Sequence, residues 1–267
     1  MEDALPRFSS QEGQFVSATG QISQTKSASD ALRAREALLQ HFRNRPMGDE
    51  ELLVNFGLFM RSGPLARLLF LNEIYQLIVP IPGIICEFGV WWGQSLAFFE
   101  NFRAVYEPYN HTRRIVGFDT FVGYPEVGSA DKRSEIITEG NYGVPTGYVD
   151  FLDGVLNCHE QQNVMSHIKK HELVVGDVLE TAPRYFSAHP ESFVALAFFD
   201  MALYEPTKLC LQTIRDRLVP GSVVAFDELN HADYPGETRA ALEVLSLKDF
   251  TVHRSKFLSD RTYFVLR

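Results

Sequence analysis

The chain has 267 residues, 45% hydrophobic and 22% charged, a composition and length suited to one large α/β domain or two small ones, with ample length to bury a core. Its net charge of -9, from 34 acidic and 25 basic residues, opposes nucleic-acid binding, and no apolar run approaches a membrane span. Three widely spaced cysteines, Cys86, Cys158 and Cys210, argue against a disulfide framework or a zinc site, and the acidic, polar start is not a secretory signal, so a cytoplasmic protein is expected.

Residues 1–29, rich in Ser, Gln, Thr and Gly, read as a flexible polar N-terminal arm. Helical patterns follow over about 30–42, 49–59 and 63–79, ending at Pro80 and Pro82; they predict an N-terminal helical region over 30–82 packed on the core. From residue 83 to the C-terminus, strand and helix patterns alternate. Strands are predicted at 83–88, 113–118, 171–175, 193–199 and 222–226, with helices at about 94–106, 148–167, 178–188, 206–218 and 236–245. Pro220-Gly221 reads as a turn, and strands at 250–254 and 262–266 close the chain around a turn near Ser259-Asp260. The Gly-, Pro- and Tyr-containing stretch 120–147 is long for a loop and reads as a lid. Alternating β and α predicts an α/β, Rossmann-like methyltransferase fold over 83–267: a mostly parallel seven-stranded sheet, one antiparallel strand and helices on both faces.

The first strand runs into Glu87-Phe88-Gly89-Val90-Trp91-Trp92-Gly93-Gln94-Ser95. Gly89 allows a tight turn, and Gly93 permits close approach of backbone to a ligand or of helix to strand. The spacing is G-x-x-x-G, with two tryptophans where a dinucleotide turn needs small residues, which disfavours a nicotinamide cofactor. A glutamate two residues before Gly89 suits a cationic ligand better than a phosphate, and S-adenosylmethionine offers an ammonium and a sulfonium. Asp119 ends the second strand, where an acid can accept from both hydroxyls of a ribose. Asp177 follows Gly176 after the third strand and suits either an adenine amino group or a helix cap.

Asp200 ends the fourth predicted strand, and Asp227 and Glu228 end the fifth. Neighbouring parallel strands would bring these three carboxylates to one rim, where open α/β sheets bind ligands and where three oxygens suit a hard divalent cation. Each acid alone also suits a cap.

Four segments together, EFGVWWGQS, GFDTFVGYPE, D-x-x-L-Y-E-P-T at 200–207 and VVAFDE, resemble the macrocin-type sugar O-methyltransferases of antibiotic biosynthesis in order and spacing over roughly residues 50–250. The resemblance implies S-adenosylmethionine as methyl donor, a magnesium ion, a deoxysugar acceptor, nucleotide-linked or on a finished natural product, and a homodimer or higher homo-oligomer. It implies that Glu87 and Gly89 face the methionine part of the donor, with Gly93 and Ser95 of the same turn also cofactor-binding. Asp119 would meet the ribose, Asp177 would lie near the adenine with the cofactor-binding Gly176 before it, and Asp200, Asp227 and Glu228 would hold the metal. At 227–228 the chain carries Asp-Glu where many relatives have Asp-Asp. Catechol-type relatives carry a lysine three residues after the first metal aspartate, and here that position is Leu203.

The acceptor hydroxyl must be aligned with the sulfur–methyl bond and lose its proton. Asp200 or His159 is the expected base, with His231 a further candidate and Tyr142 and Tyr148 as acceptor contacts from the lid. The rival readings are a small-phenol O-methyltransferase and a non-catalytic protein that binds a nucleoside or nucleotide sugar.

Overall fold

The structure, a computed structural model, describes residues 14–16, 22–24, 29–134 and 137–267. Residues 1–66 and 67–267 form two compact units. The first contains β1 (Gln14–Val16) and β2 (Ile22–Gln24), paired antiparallel, then α1 (Ser29–Arg43) and α2 (Asp49–Val54). Within it the Phe42 and Phe59 rings meet edge to face at 5.2 Å. The polar arm expected over 1–29 lies, apart from those two strands, largely outside the described residues. Helix α3 (Ser62–Ile78) contributes its residues from Arg67 onward to the second unit.

That second unit is built on seven strands: β3 (Ile84–Phe88), β4 (Ile115–Asp119), β5 (His171–Val175), β6 (Val194–Phe199), β7 (Leu218–Phe226), β8 (Phe250–Arg254) and β9 (Thr262–Leu266). Their order is β5-β4-β3-β6-β7-β9-β8, and β9 alone runs antiparallel to its neighbours. This is the expected methyltransferase sheet. Chain order reverses between β3 and β6, so their C-terminal ends flank the crevice in which such sheets bind ligands.

Helices cover both faces. Helix α3, α4 (Gln94–Tyr106) and α5 (Tyr148–Gln161) pack with Ile85, Ile115, Leu196, Phe198 and Val223. On the other face α6 (Val178–Ala188), α7 (Tyr204–Ile214) and α8 (Pro235–Val244) pack with Cys86, Val116, Ala197 and Val224. With both faces covered, β6 is buried at every position, which is why it reads as a continuous apolar run rather than an alternating one. No helix of the described residues is long and apolar enough to cross a membrane.

Two boundaries differ from expectation. Pro220-Gly221 is not a turn before β7 but lies inside it. The pairing jumps from Val194–Leu218 to Leu196–Val223, and Gly221 at φ 92° absorbs the extra residues as a bulge. The helix predicted over 148–167 stops at Gln161, where Gln162 and Asn163 donate back to the carbonyls of His159 and Glu160 and tighten the last turn.

One row of side chains levels the strand ends. Phe118, Phe88, Phe199 and Phe226 stand opposite one another on β4, β3, β6 and β7, with ring centroids 5.0, 4.8 and 5.1 Å apart along the row. All four are essentially inaccessible. Phe88→Ala should therefore lower unfolding stability by about 3–5 kcal/mol in urea titrations. A loss below about 1 kcal/mol would show that the row can collapse around the gap.

Candidate active site

The residue after each phenylalanine lies at the rim. Gly89, Asp119, Asp200 and Asp227 follow Phe88, Phe118, Phe199 and Phe226, and the backbone ladder extends one step beyond the strands to hold them. The Gly89 N–H donates to the Phe118 carbonyl, Asp200 to Phe88 and Asp227 to Phe199, each at 2.9 Å. Above this rim lies a cavity of about 560 Å³, a size for a nucleoside and part of a second ligand. It is lined by Gly89, Ser95, Asp119, Gly176, Asp177, Asp200, Asp227 and Glu228, so eight of the residues singled out from the sequence meet there.

Each carries a local role as well. The Asp119 carboxylate accepts from the N–H groups of Val90 (2.6 Å), Trp91 (2.8 Å) and Phe121 (2.6 Å), fastening the glycine turn to the end of β4. Asp177 caps α6 by accepting from the Leu179 N–H at 2.9 Å, so the cap reading and the ligand reading coexist in one side chain. Glu87 lies just behind the lining. It is buried, its neighbour Ser95 hydrogen-bonds to it, and its Oε2 has no hydrogen-bond partner. Burial pushes its carboxyl well above the usual range.

Four expected residues fall elsewhere. His159 is not in the cavity: its face of α5 meets α4, with Nδ1 3.5 Å from the Asn101 amide, so it cannot reach a substrate at the rim. His231 stacks against Tyr234 and is also outside the lining. Gly93 serves packing, since a Cβ there would come within 2.4 Å of Leu152 on α5 and its φ is 74°. Tyr148 turns away to donate its hydroxyl to the Trp92 carbonyl at 3.0 Å. Tyr142 does line the cavity, in edge contact with Trp91 and Tyr124. Thr120, Gly123, Pro125 and Glu126 from the predicted lid join it. Backbone strain gathers here: Trp91, Tyr142 and Ala202, three lining residues without the freedom of glycine, have φ of 50°, 63° and 60°.

Three functional residues escaped the sequence reading. Arg67 on α3 reaches Asp200 Oδ2 (2.7 Å), Asp227 Oδ1 (3.1 Å) and Ser95 Oγ (2.9 Å). A lone arginine among Leu65, Leu68 and Leu69 on a helix with a buried face was the available signal. Arg261 approaches the same Asp227 oxygen at 2.6 Å and donates to the Asp227 carbonyl at 2.5 Å. Glu237, fully buried in the first turn of α8, accepts from the N–H groups of Met201, Ala202 and Glu228 at 3.2 Å each and ties both acid-bearing loops together. Its sequence position looks only like an acid at a helix start.

Comparison with known proteins decides the family. The crystal structure of CalS11, calicheamicin methyltransferase, superposes with a TM-score of 0.87 and 40% identity over 90% of this chain and 94% of that one. An apo structure of CalS11, described as TDP-rhamnose 3'-O-methyltransferase of calicheamicin biosynthesis, gives a TM-score of 0.79 and 38% identity over 90% and 96%. The chain belongs to the sugar O-methyltransferases of natural-product biosynthesis. It is also 31% identical over 156 residues to the 8-demethyl-8-(2,3-dimethoxy-alpha-L-rhamnosyl)-tetracenomycin-C 4'-O-methyltransferase of Streptomyces olivaceus. That match covers 55% of this chain and 53% of the relative, so the chain spans about half the length of the curated relative it matches. No protein-family model matches it.

The acids that the resemblance gives to a magnesium ion are engaged with arginines in this O-methyltransferase. Asp200 and Asp227 are bridged by the Arg67 guanidinium, and Arg261 shares the Asp227 oxygen. Among the described residues, the oxygens of Asp200, Asp227 and Glu228 do not gather within ligating reach of one point. Such a grouping does occur at Glu100, Glu160 and His171, but Arg103 and Lys170 already neutralise those two glutamates.

The rim acids nonetheless outnumber their cations. Burial, then the charge of Asp200, pushes the Asp227 carboxyl up to about 7. Burial, then Asp227 and Asp200, pushes Glu228 up to about 8. A carboxyl whose folded pKa is raised contributes stability that is full below its unfolded value near 4 and lost as pH rises through the folded value. The ligand-free enzyme should therefore lose stability between about pH 4 and 8, and Glu228→Gln, which stays neutral, should lose less, by on the order of 1 kcal/mol across that window. Parallel stability–pH curves for the two proteins would contradict this charge balance.

Proposed function

We propose that this enzyme moves the methyl group of S-adenosylmethionine to a hydroxyl of a deoxysugar, either nucleotide-linked or already attached to a natural product. The observation that carries the reading is the likeness, along nearly the whole chain, to CalS11, a TDP-rhamnose 3'-O-methyltransferase. The site supports the donor. Glu87 offers a buried, unpaired carboxylate oxygen for an ammonium, and the acid-lined cavity favours a ligand with two positive centres. When bound, S-adenosylmethionine supplies a methyl group already made electrophilic by the sulfonium.

The chain's own residues then do three things. Asp119, fixed by three backbone N–H groups, keeps lone pairs for the ribose hydroxyls, and Asp177 has one oxygen beyond its cap for the adenine amino group. Trp91, Tyr124 and Tyr142 wall the cavity with aromatic surface that can lie against the apolar face of a sugar and exclude water. Asp200, at the rim between the two halves, accepts the hydroxyl's hydrogen bond and takes its proton as the oxygen attacks.

The test is mass spectrometry of reactions containing S-adenosylmethionine and a panel of nucleotide deoxysugars and glycosides. The expected result is one added methyl on a deoxysugar hydroxyl. Methylation of none of the panel, with a small phenol methylated instead, would overturn the reading. Asp200→Asn should lower kcat by about 10²- to 10⁴-fold while the enzyme still binds S-adenosylhomocysteine. Because Arg67 already bridges Asp200 and Asp227, methyl transfer should also persist in excess chelator. A rate that collapses there and returns with magnesium would mean that Arg67 yields its place to the ion.

A further inference from the structure

The cavity lining contains eight acids: Asp119, Glu126, Asp131, Asp177, Asp200, Glu205, Asp227 and Glu228. Among the described residues that line it, the sole arginine or lysine is Arg67. An anionic group entering this cavity is repelled by most of its wall and has one residue to pair with. The donor named above carries one such group, the α-carboxylate of its amino-acid tail, next to its ammonium.

We propose that Arg67 is the anion-binding residue of the donor half, taking the α-carboxylate of S-adenosylmethionine while Glu87 takes the ammonium. The inference rests on the reading that the cavity binds this donor. Three observations locate the clamp. Arg67 Nη2 is 2.9 Å from Ser95 Oγ, in the first turn of α4, where the helix dipole also favours negative charge. Ser95 is hydrogen-bonded in turn to Glu87. Glu87 Oε2 is buried with no hydrogen-bond partner, an acceptor without a donor inside the fold. Arg67, Ser95 and Glu87 thus form one connected row with a positive end and a negative end, matching the zwitterion of an amino acid.

The same geometry gives the clamp a consequence for the acceptor. Arg67 Nη2 is shared between Ser95 Oγ and Asp200 Oδ2. When the guanidinium turns to the incoming carboxylate, Asp200 gives up a hydrogen bond and has an oxygen available to the sugar hydroxyl. Nη1 keeps Asp227 as its partner. Donor binding therefore precedes productive acceptor binding, and Arg67 acts on the base as a positioning residue while it touches the donor directly.

Isothermal titration of the full chain with S-adenosylhomocysteine and with its decarboxylated analogue, in which hydrogen replaces the α-carboxylate, tests this. The wild-type enzyme should prefer the carboxylate-bearing ligand by about 10- to 150-fold, the range of a charge-assisted hydrogen-bonded contact. Arg67→Gln should reduce that preference to about threefold or less, through loss of affinity for S-adenosylhomocysteine rather than gain for the analogue. Arg67→Lys, which keeps the charge but not the planar fork, should fall between them. A wild-type enzyme that binds both ligands equally, or an Arg67→Gln variant that folds and discriminates as well as wild type, would overturn the inference and leave the donor reading standing. Failure of the wild-type enzyme to bind either ligand would overturn the donor reading, and the clamp with it.

Discussion

Four parallel strands end at one level because a row of phenylalanine rings, Phe118, Phe88, Phe199 and Phe226, packs across them one residue below the rim. Close packing tolerates little slippage in such a row, and a slip of one residue would turn every acid to the wrong face. The ladder bonds from Gly89, Asp200 and Asp227 then carry that register into the site. The spacing between the glycine turn and the rim acids is thus set by the core rather than by the loops that bear them.

Charge is the second constraint, and it pulls against the first. Levelled strand ends crowd carboxylates together in partial burial, which raises Asp227 and Glu228 to about 7 and 8. Arg67 and Arg261 offset part of this, and Glu237 holds the acid-bearing loops by their backbone N–H groups rather than by charge. A site left short of positive charge is prepared for a cationic ligand. The methyl donor proposed above carries two cationic centres, which would offset that repulsion on binding.

Much of this was legible in the sequence because it is local. Strand runs such as Val194–Phe199 and the acids that end them fall at fixed positions along the chain, and their alternation with helices implies a mostly parallel sheet. The turn EFGVWWGQS announces its glycines directly, although the close approach of Gly93 to Leu152 is not visible in it. What the sequence hides is long-range. Nothing near Arg67 predicts that its partners are Asp200 and Asp227, 133 and 160 residues away. Glu237 looks like a helix-start acid until α8 is docked. His159 sits at a plausible helical position, but which face of α5 meets α4 depends on Leu152 and Leu156 packing, and that puts the imidazole beside Asn101. Pro220-Gly221 reads as a turn because local chemistry cannot reveal that a neighbouring strand will carry the chain through a bulge.

In the mechanism proposed here, one rim joins a nucleoside methyl donor to a sugar hydroxyl across Asp200. A crystal structure of the enzyme with S-adenosylhomocysteine and a nucleotide-linked deoxysugar tests it most directly. The ribose is expected at Asp119, the adenine beside Asp177, and the sulfur facing an acceptor hydroxyl that is hydrogen-bonded to Asp200. A ternary complex with the sulfur turned away from Asp200, or with the sugar hydroxyl held by another residue, would contradict it.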